Sequence, residues 1–144
     1  MRGNIKNIIK KLIKQYDFNN LYDLAQCLDV EIIATELKNT LGMYRYIKRN
    51  KFIFLNSNLD EITKRFVLAH ELGHAILHTK NNCFYLKHNT FIKTNCFEVE
   101  ANKFAAEILI DDEELEICLK NGYTVKQIAS YFQVLPELVE YKFK

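Results

Sequence analysis

The chain has 144 residues, of which 49% are hydrophobic and 26% charged, and its formal net charge is +2. This length suits one domain that can bury a core, and this composition excludes a disordered chain and a membrane protein. The net charge is too small to indicate nucleic-acid binding by itself. The first residues contain no apolar signal core, and the four cysteines form no Cys-x-x-Cys pair, so we expect a cytoplasmic protein with reduced thiols.

The first sixty residues predict helices followed by strands. Isoleucine and leucine alternate with lysine at helical spacing near the N-terminus, and β-branched and aromatic runs follow. The predicted elements are two helices at 4–15 and 20–28, a strand at 31–36, and a hairpin of strands at 43–47 and 51–55 that turns at Arg49–Asn50. A small antiparallel sheet over 31–56 is therefore expected after N-terminal helices over 1–30.

The next segment contains the pattern H-E-x-x-H, read from His70, Glu71 and His74. Two histidines four residues apart lie one above the other on a helix and can bind one Zn²⁺ at about 2.0–2.1 Å each. The glutamate between them lies beside the metal, where it can take a proton from an attacking water. The pattern therefore predicts metal-assisted hydrolysis of a carbonyl compound.

The residues around this motif predict the helix that it requires. Apolar residues recur at a 3.6-residue period over 61–78, and Asn58 with Glu61 resembles a capping box, so the helix is expected over 58–78. Gly73 costs about 1 kcal/mol in a helix interior, which hints at close packing there. The alternative interpretation is a buried helix whose two histidines serve only structural hydrogen bonds.

A third ligand is expected because catalytic zinc sites usually have three protein ligands and water. A second amphipathic helix is predicted over 96–110, and Glu98 and Glu100 flank its apolar stripe on opposite sides. Periodicity alone does not choose between these two glutamates, and both could be solvated side chains on the helix shoulder.

The segments HELGHAILH and EVEANKFAAEILI together resemble the ImmA/IrrE family of metallo-endopeptidases, which is similar to the gluzincins. The resemblance is best over 52–110, and the family's final Met-Pro is replaced here by Ile110-Asp111. It implies a mainly helical, zincin-like α+β domain with His70, His74 and Glu100 as zinc ligands and Glu71 as the catalytic acid and base. It also implies proteolysis of a helix-turn-helix repressor of a mobile element or a stress response.

Several other residues are weaker candidates for roles in the site. His78 shares the face of His74 and is expected to support the ligands rather than bind the metal, with Asn102 and Glu98 as further candidates for orienting them. Tyr85 and His88 are candidates for stabilising an oxyanion, in an apolar stretch over 79–95 that could cover the cleft or pack internally. One strand, 43–47 or 52–55, could accept the substrate backbone at a free sheet edge.

The last 31 residues, 114–144, resemble a helix-turn-helix pair, with Ala129, a turn near Gln133 and Pro136 at the start of the second helix. Its recognition positions include Glu137 and Glu140, whose charges oppose contact with phosphates. A packing element or a surface that docks the repressor is therefore preferred to a DNA reader.

We thus expect one zinc endopeptidase domain over 1–144 that acts on a protein substrate. We do not expect it to bind a membrane or nucleic acid. Two alternatives stay open. One is a repressor-binding regulator whose metal site is structural, for which Glu71 would be dispensable. The other is a DNA-binding regulator that depends on cations such as Lys126 and Lys142.

Overall fold

A pair of helices, a small sheet and further helices follow one another in the computed structural model, which describes residues 2–81, 85–86 and 95–144. The elements are α1 (Arg2–Gln15), α2 (Leu21–Cys27), β1 (Val30–Thr35), β2 (Gly42–Ile47), β3 (Asn50–Asn56), α3 (Glu61–Leu77), β4 (Tyr85–Leu86), α4 (Cys96–Leu109), α5 (Asp112–Lys120), α6 (Val125–Phe132) and α7 (Pro136–Tyr141). The predicted α+β class is confirmed. None of the helices in these ranges combines the length and the apolarity of a bilayer span.

The sheet has the strand order β1-β3-β2-β4 and is mixed rather than wholly antiparallel. β2 and β3 form the predicted antiparallel hairpin, but β1 pairs with β3 in parallel. The chain reverses direction between β1 and β2 and again between β2 and β3, so β1 and β3 run the same way. Alternation of apolar residues predicts strands but not which strands become neighbours, and β3 lies between the other two.

The hairpin turns one residue earlier than predicted. Lys48 and Arg49 have φ angles of 49° and 66°, and Ile47 pairs with Asn50 across the turn. Two central residues with positive φ are the signature of a type I′ turn, whose twist matches that of the strands. β3 is paired on both sides, so the segment 52–55 has no free edge for a substrate.

Helix α3 begins at Glu61, and its N-cap is Asp60, whose side chain accepts a hydrogen bond from the backbone of Thr63 at 2.7 Å. The predicted cap at Asn58 is therefore wrong. The helix packs against β2 because Gly42 has no side chain: a Cβ there would lie 2.6 Å from Cγ1 of Val67. This close approach brings the strand beside the H-E-x-x-H motif.

The C-terminal helices pack onto α4 and complete the core. Gln133 ends α6 in the left-handed conformation with a φ of 56°, and Pro136 opens α7, as predicted. Three of the six residues of α7 are buried: Leu138, Val139 and Tyr141. One face of this second helix therefore packs into the core, while Pro136, Glu137 and Glu140 are exposed.

One cation of the C-terminal segment is also buried in the core. Nζ of Lys142 lies 2.8 Å from Glu107 and 2.5 Å from Asp112, and the side chain is 2% exposed. Lys6 of α1 binds the same two carboxylates. This four-charge cluster joins α1, α4 and the C-terminus. The charge of Lys142 is therefore paired inside the protein and is not available to a DNA phosphate.

Candidate metal centre

The two histidines of the motif lie on the face of α3 that packs against α4, and both are 0% exposed. Nε2 of His70 lies 3.0 Å from Oε2 of Glu98, and Nε2 of His74 lies 3.1 Å from Oε1 of the same carboxylate. One ligand atom from each of the three side chains falls within 4.8 Å of the others. Two helices thus bring two imidazoles and one carboxylate to a single point.

Glu100, the ligand that the family resemblance implied, does not reach this point. Its Oε1 lies 2.7 Å from Nε2 of His78, which is one helical turn beyond His74. Glu98 is in the first turn of α4 on the side that faces α3, and Glu100 lies 200° further around that helix. The geometry therefore groups Glu98, the alternative that helical periodicity had left open, with the two imidazoles, and it places Glu100 outside that group.

The crossing of α3 and α4 depends on Gly73, the glycine inside the motif. A Cβ at this position would lie 3.1 Å from Cβ of Phe104 and 3.3 Å from Cα of Ala101. The absent side chain lets α4 approach α3 within the turn that also carries His74. The packing role that the sequence hinted at is thus visible in the structure.

A hydrogen-bonded chain orients His70 from the side opposite Glu98. Nδ1 of His70 lies 2.8 Å from Oδ1 of Asn102, and Nδ2 of Asn102 donates to the hydroxyl of Tyr141 at 3.1 Å. Asn102 was a candidate for this role, but Tyr141 was not. No sequence pattern links Tyr141 to a histidine 71 positions earlier, because only the packing of α7 brings it there.

His74 is oriented by His78 in a similar way. The Nδ1 atoms of the two rings are 3.0 Å apart, and His78 is 6% exposed. The ring of Phe97 packs edge-on against His78, with centroids 4.6 Å apart. His78 therefore supports a ligand, which is the role that its spacing suggested.

Burial and charge set the protonation of these groups. Burial opposes ionisation of Glu98, but hydrogen bonds from His70 and His74 outweigh it and hold the pKa of this carboxyl below its usual range. Burial lowers the pKa of His74 to about 4, so this imidazole is neutral at pH 7. A carboxylate beside a neutral imidazole is the protonation state that a divalent metal requires of such ligands.

Glu71 differs from the other residues of the motif because its carboxyl has no partner. Both of its oxygens are buried and lack a hydrogen bond from any described residue. Burial, reinforced by the charge of Glu98, raises the pKa of Glu71 well above its usual value. A carboxyl without a hydrogen-bond partner, beside the ligand groups, is free to exchange a proton with a bound water.

The hydrogen bonds support a cation between Glu98 and the two imidazoles. Asn102 accepts the proton of His70 Nδ1, so Nε2, the atom that faces Glu98, can offer its lone pair to a metal. A cation bound between Nε2 and the carboxylate would take the place of the imidazole proton that otherwise makes this hydrogen bond. Two imidazoles and a carboxylate are also the protein ligands of many hydrolytic zinc sites.

Other candidate positions lie elsewhere. His88 lies outside the described residues, as do the side chain of Tyr85 and most of the apolar stretch between α3 and α4. A cleft of about 370 Å³ opens between Phe18, Tyr22, Arg65 and Ile108, and none of the motif residues lines it. Among the described residues, the chemistry is therefore concentrated at the crossing of α3 and α4.

Comparison with known proteins agrees with this arrangement. Residues 25–144 match the family Peptidase_M78, described as the IrrE N-terminal-like domain. The chain is 39% identical over 139 residues to "uncharacterized immunity region protein 2" of Bacillus phage phi105, which covers 96% of this chain and 88% of that protein. It is 31% identical over 142 residues to "metallopeptidase ImmA" of Bacillus subtilis strain 168, which covers 96% and 83% of the two chains.

Proposed function

This chain belongs to the Peptidase_M78 family of metallopeptidases, and from this premise we propose that it is a zinc-dependent endopeptidase that cleaves a helix-turn-helix transcriptional repressor. One observation carries the proposal. Three potential ligand groups converge beside a buried carboxyl that has no partner among the described residues. A structural metal site would not need that fourth group.

In this proposal His70, His74 and Glu98 hold the ion. When bound, zinc would supply a Lewis acid that polarises the scissile carbonyl and makes a water acidic enough to attack near neutral pH. The protein contributes orientation, since Asn102 and His78 each fix one imidazole through its Nδ1 atom. The burial of all three ligand groups also keeps bulk water from competing for them.

Glu71 is the acid and base of the proposed reaction. It follows His70 directly on α3, and its carboxyl takes the proton of the attacking water and then returns that proton to the leaving amine. Burial and the charge of Glu98 raise the pKa of Glu71, so its carboxyl holds a proton more firmly than an exposed glutamate does. Glu71 needs no other hydrogen bond for this role, which is consistent with its lack of described partners.

We place the substrate backbone along β2, the strand next to Glu71. A Cβ on Gly42 would lie 3.6 Å from Cγ of Glu71. The outer edge of β2 pairs with β4 only at Gly42 and Met43, so within the described part of the chain its remaining edge is open to an added strand. An extended peptide bound at that edge would pass the carboxyl that handles the proton.

The repressor as substrate is what the family resemblance of the sequence implies. Among the relatives, one is named a metallopeptidase and another an immunity region protein of a phage, and both names are compatible with that substrate. Cleaving a repressor would relieve the repression that it maintains, and a repressor acts in the cytoplasm, where we place this protein.

The alternatives have less support. A regulator that only binds the repressor gives no reason for a buried carboxyl without a described partner beside the ligand groups. A DNA-binding regulator would use the C-terminal pair, yet two of the three exposed residues of α7 are the acidic Glu137 and Glu140, and Lys142 is ion-paired with Glu107 and Asp112. No observation favours either alternative as a second function.

The test needs a candidate substrate, and we expect a small helix-turn-helix protein to be encoded beside this chain's gene. Glu71→Gln is expected to retain one zinc per chain by elemental analysis and to lose cleavage, because the amide cannot accept the proton. Loss of a general base typically costs about 10²–10⁴-fold in rate. His70→Ala is expected to lose the zinc as well.

Glu61→Gln is a matched control because it makes the same change on the same helix at an exposed position. It is expected to cleave the repressor like the wild type. Cleavage at the wild-type rate by Glu71→Gln with zinc bound would refute the enzymatic proposal. Full zinc content in His70→Ala would refute the ligand assignment.

A further inference from the structure

We infer that His78 and Glu100 form a positioning relay that holds His74 in the one tautomer able to bind the metal. The inference rests on the proposed metal site and extends it to two residues outside the ligand set. Its basis is a continuous line of contacts: His74 Nδ1 to His78 Nδ1 at 3.0 Å, then His78 Nε2 to Glu100 Oε1 at 2.7 Å.

The direction of each hydrogen bond follows from the chemistry of the groups. A nitrogen that binds a cation must offer a lone pair, so His74 bound through Nε2 carries its proton on Nδ1. That proton is donated to Nδ1 of His78, which must then be a lone pair in the neutral ring. His78 accordingly carries its own proton on Nε2 and donates it to Glu100.

The line therefore ends on a carboxylate, which can only accept hydrogen bonds when ionised. Replacing Glu100 by a group that cannot accept would free His78 to place its proton on either nitrogen. His78 with a proton on Nδ1 would face the proton of His74 Nδ1 at 3.0 Å, and one of the two rings would have to turn. Glu100 thus decides, through His78, whether Nε2 of His74 presents a lone pair or a proton to Glu98.

Burial gives this relay energetic weight. His74 is 0% exposed and His78 is 6% exposed, while the side chain of Glu100 is 19% exposed at the rim. A charge-assisted hydrogen bond in such surroundings is stronger than one in water. Phe97 packs against the ring of His78 and limits its rotation. The relay therefore fixes both the proton and the orientation of the ring.

The relay also explains two features of the sequence. His78 continues the four-residue spacing of His70 and His74, although it is not a ligand. Glu100 comes two residues after Glu98, where the resemblance had placed a ligand. The two glutamates have different roles: Glu98 faces Nε2 of both motif histidines, and Glu100 accepts a hydrogen bond from Nε2 of His78.

The main test is a double-mutant cycle in zinc affinity, measured by competition with a chromophoric chelator. His78→Phe and Glu100→Ala are each expected to weaken binding by about 10–100-fold, the usual effect of losing a partner that orients a ligand. In the His78→Phe background, Glu100→Ala is expected to cost nothing further, because Glu100 acts only through His78. Glu100→Gln retains an acceptor oxygen and is expected to restore most of the affinity.

Glu116→Ala is the control for loss of a helical glutamate, since Glu116 is exposed and pairs only weakly with Lys120 at 3.6 Å. It is expected to leave zinc affinity unchanged. An equal loss from Glu100→Ala with His78 present or absent would overturn the relay and make Glu100 a direct ligand. Unchanged affinity in Glu100→Ala would overturn it too. An error in the proposed ligand set can be told apart from an error in the relay, because in the first case His70→Ala or Glu98→Ala would keep the zinc.

A spectroscopic readout tests the relay first in the wild type, so this part of the test does not depend on the folding of a variant. Long-range ¹H–¹⁵N correlations of the zinc-loaded wild type are expected to show His74 protonated at Nδ1 and His78 protonated at Nε2. In Glu100→Ala, the signals of His78 are expected to become a mixture of tautomers. A charged His78, or one protonated at Nδ1 in the loaded wild type, would refute the inference.

Discussion

The crossing of α3 and α4 offers the sharpest prediction because it depends on the absence of a side chain at Gly73. In Gly73→Ala the new Cβ would lie 3.1 Å from Cβ of Phe104 and 3.3 Å from Cα of Ala101. These two atoms lie at or next to the backbone of α4 and cannot rotate away, so α4 must move back from α3 by a few tenths of an ångström. Glu98 is one turn earlier on α4 and moves with it.

Two opposing effects determine the stability of this variant. Alanine gains about 1 kcal/mol over glycine in a helix interior. Overpacking a tight contact costs about 1–3 kcal/mol. Gly73→Ala is therefore expected to unfold with a free energy about 0–2 kcal/mol lower than the wild type in urea titrations of the chelator-treated protein.

Gly73→Ala is also expected to weaken zinc binding, because Glu98 moves with α4. Metal–ligand distances tolerate deviations of only about 0.2 Å, and the required shift of α4 exceeds that. We expect the zinc dissociation constant of Gly73→Ala to rise about tenfold, the scale on which a misplaced ligand acts. Chelator competition measures this change directly.

Gly122→Ala is the matched control. Gly122 has a φ of +75° and no described atom near its missing Cβ, so alanine there costs only backbone strain of about 1 kcal/mol. This variant is expected to lose stability and keep its zinc affinity. If Gly73→Ala were about 1 kcal/mol more stable than the wild type and bound zinc equally well, the close-packing argument would be wrong.

Two further predictions concern the groups around the ligands. Tyr141→Phe removes the acceptor of the buried Asn102 amide, so the free energy of unfolding is expected to fall by about 1–3 kcal/mol in urea titrations; an unchanged midpoint would contradict this. Burial holds the pKa of His74 at about 4, below the value of about 6.5 in an unfolded chain. Since the unfolded chain binds the proton first, the chelator-treated protein is expected to lose up to about 3 kcal/mol as the pH falls from 6.5 to 4. The corresponding loss should be smaller in His74→Gln, and equal losses would argue against this origin.

Local sequence determined the part of the site that one helix carries. The four-residue spacing of His70 and His74 places them on one face of any α-helix, with Glu71 between them and His78 one turn further. Pro136 likewise predicted where α7 begins, because its ring suits the first turn of a helix. These features depend on backbone geometry within a few residues and need no knowledge of distant contacts.

Where the sequence left alternatives, distant packing made the choice. The parallel pairing of β1 with β3 is one example, because the tertiary arrangement of the strands sets it, whereas the cap of α3 at Asp60 instead of Asn58 is a local difference. The sequence could not decide between Glu98 and Glu100, since a helix turns both toward the flanks of its apolar stripe. The close contact at Gly73 sets how α4 crosses α3, and only that crossing puts Glu98 between the imidazoles.

The sequence by itself thus determined the chemistry available to this protein: two imidazoles, an acid and base, and a family that joins them to a nearby glutamate. Only the tertiary structure decided which glutamate meets the imidazoles and which one supports them through His78. It also brought Tyr141 to Asn102 from the far end of the chain. The physical reason is that periodicity fixes a residue's angle around its own helix, whereas the meeting of two helices depends on side-chain packing along their whole contact.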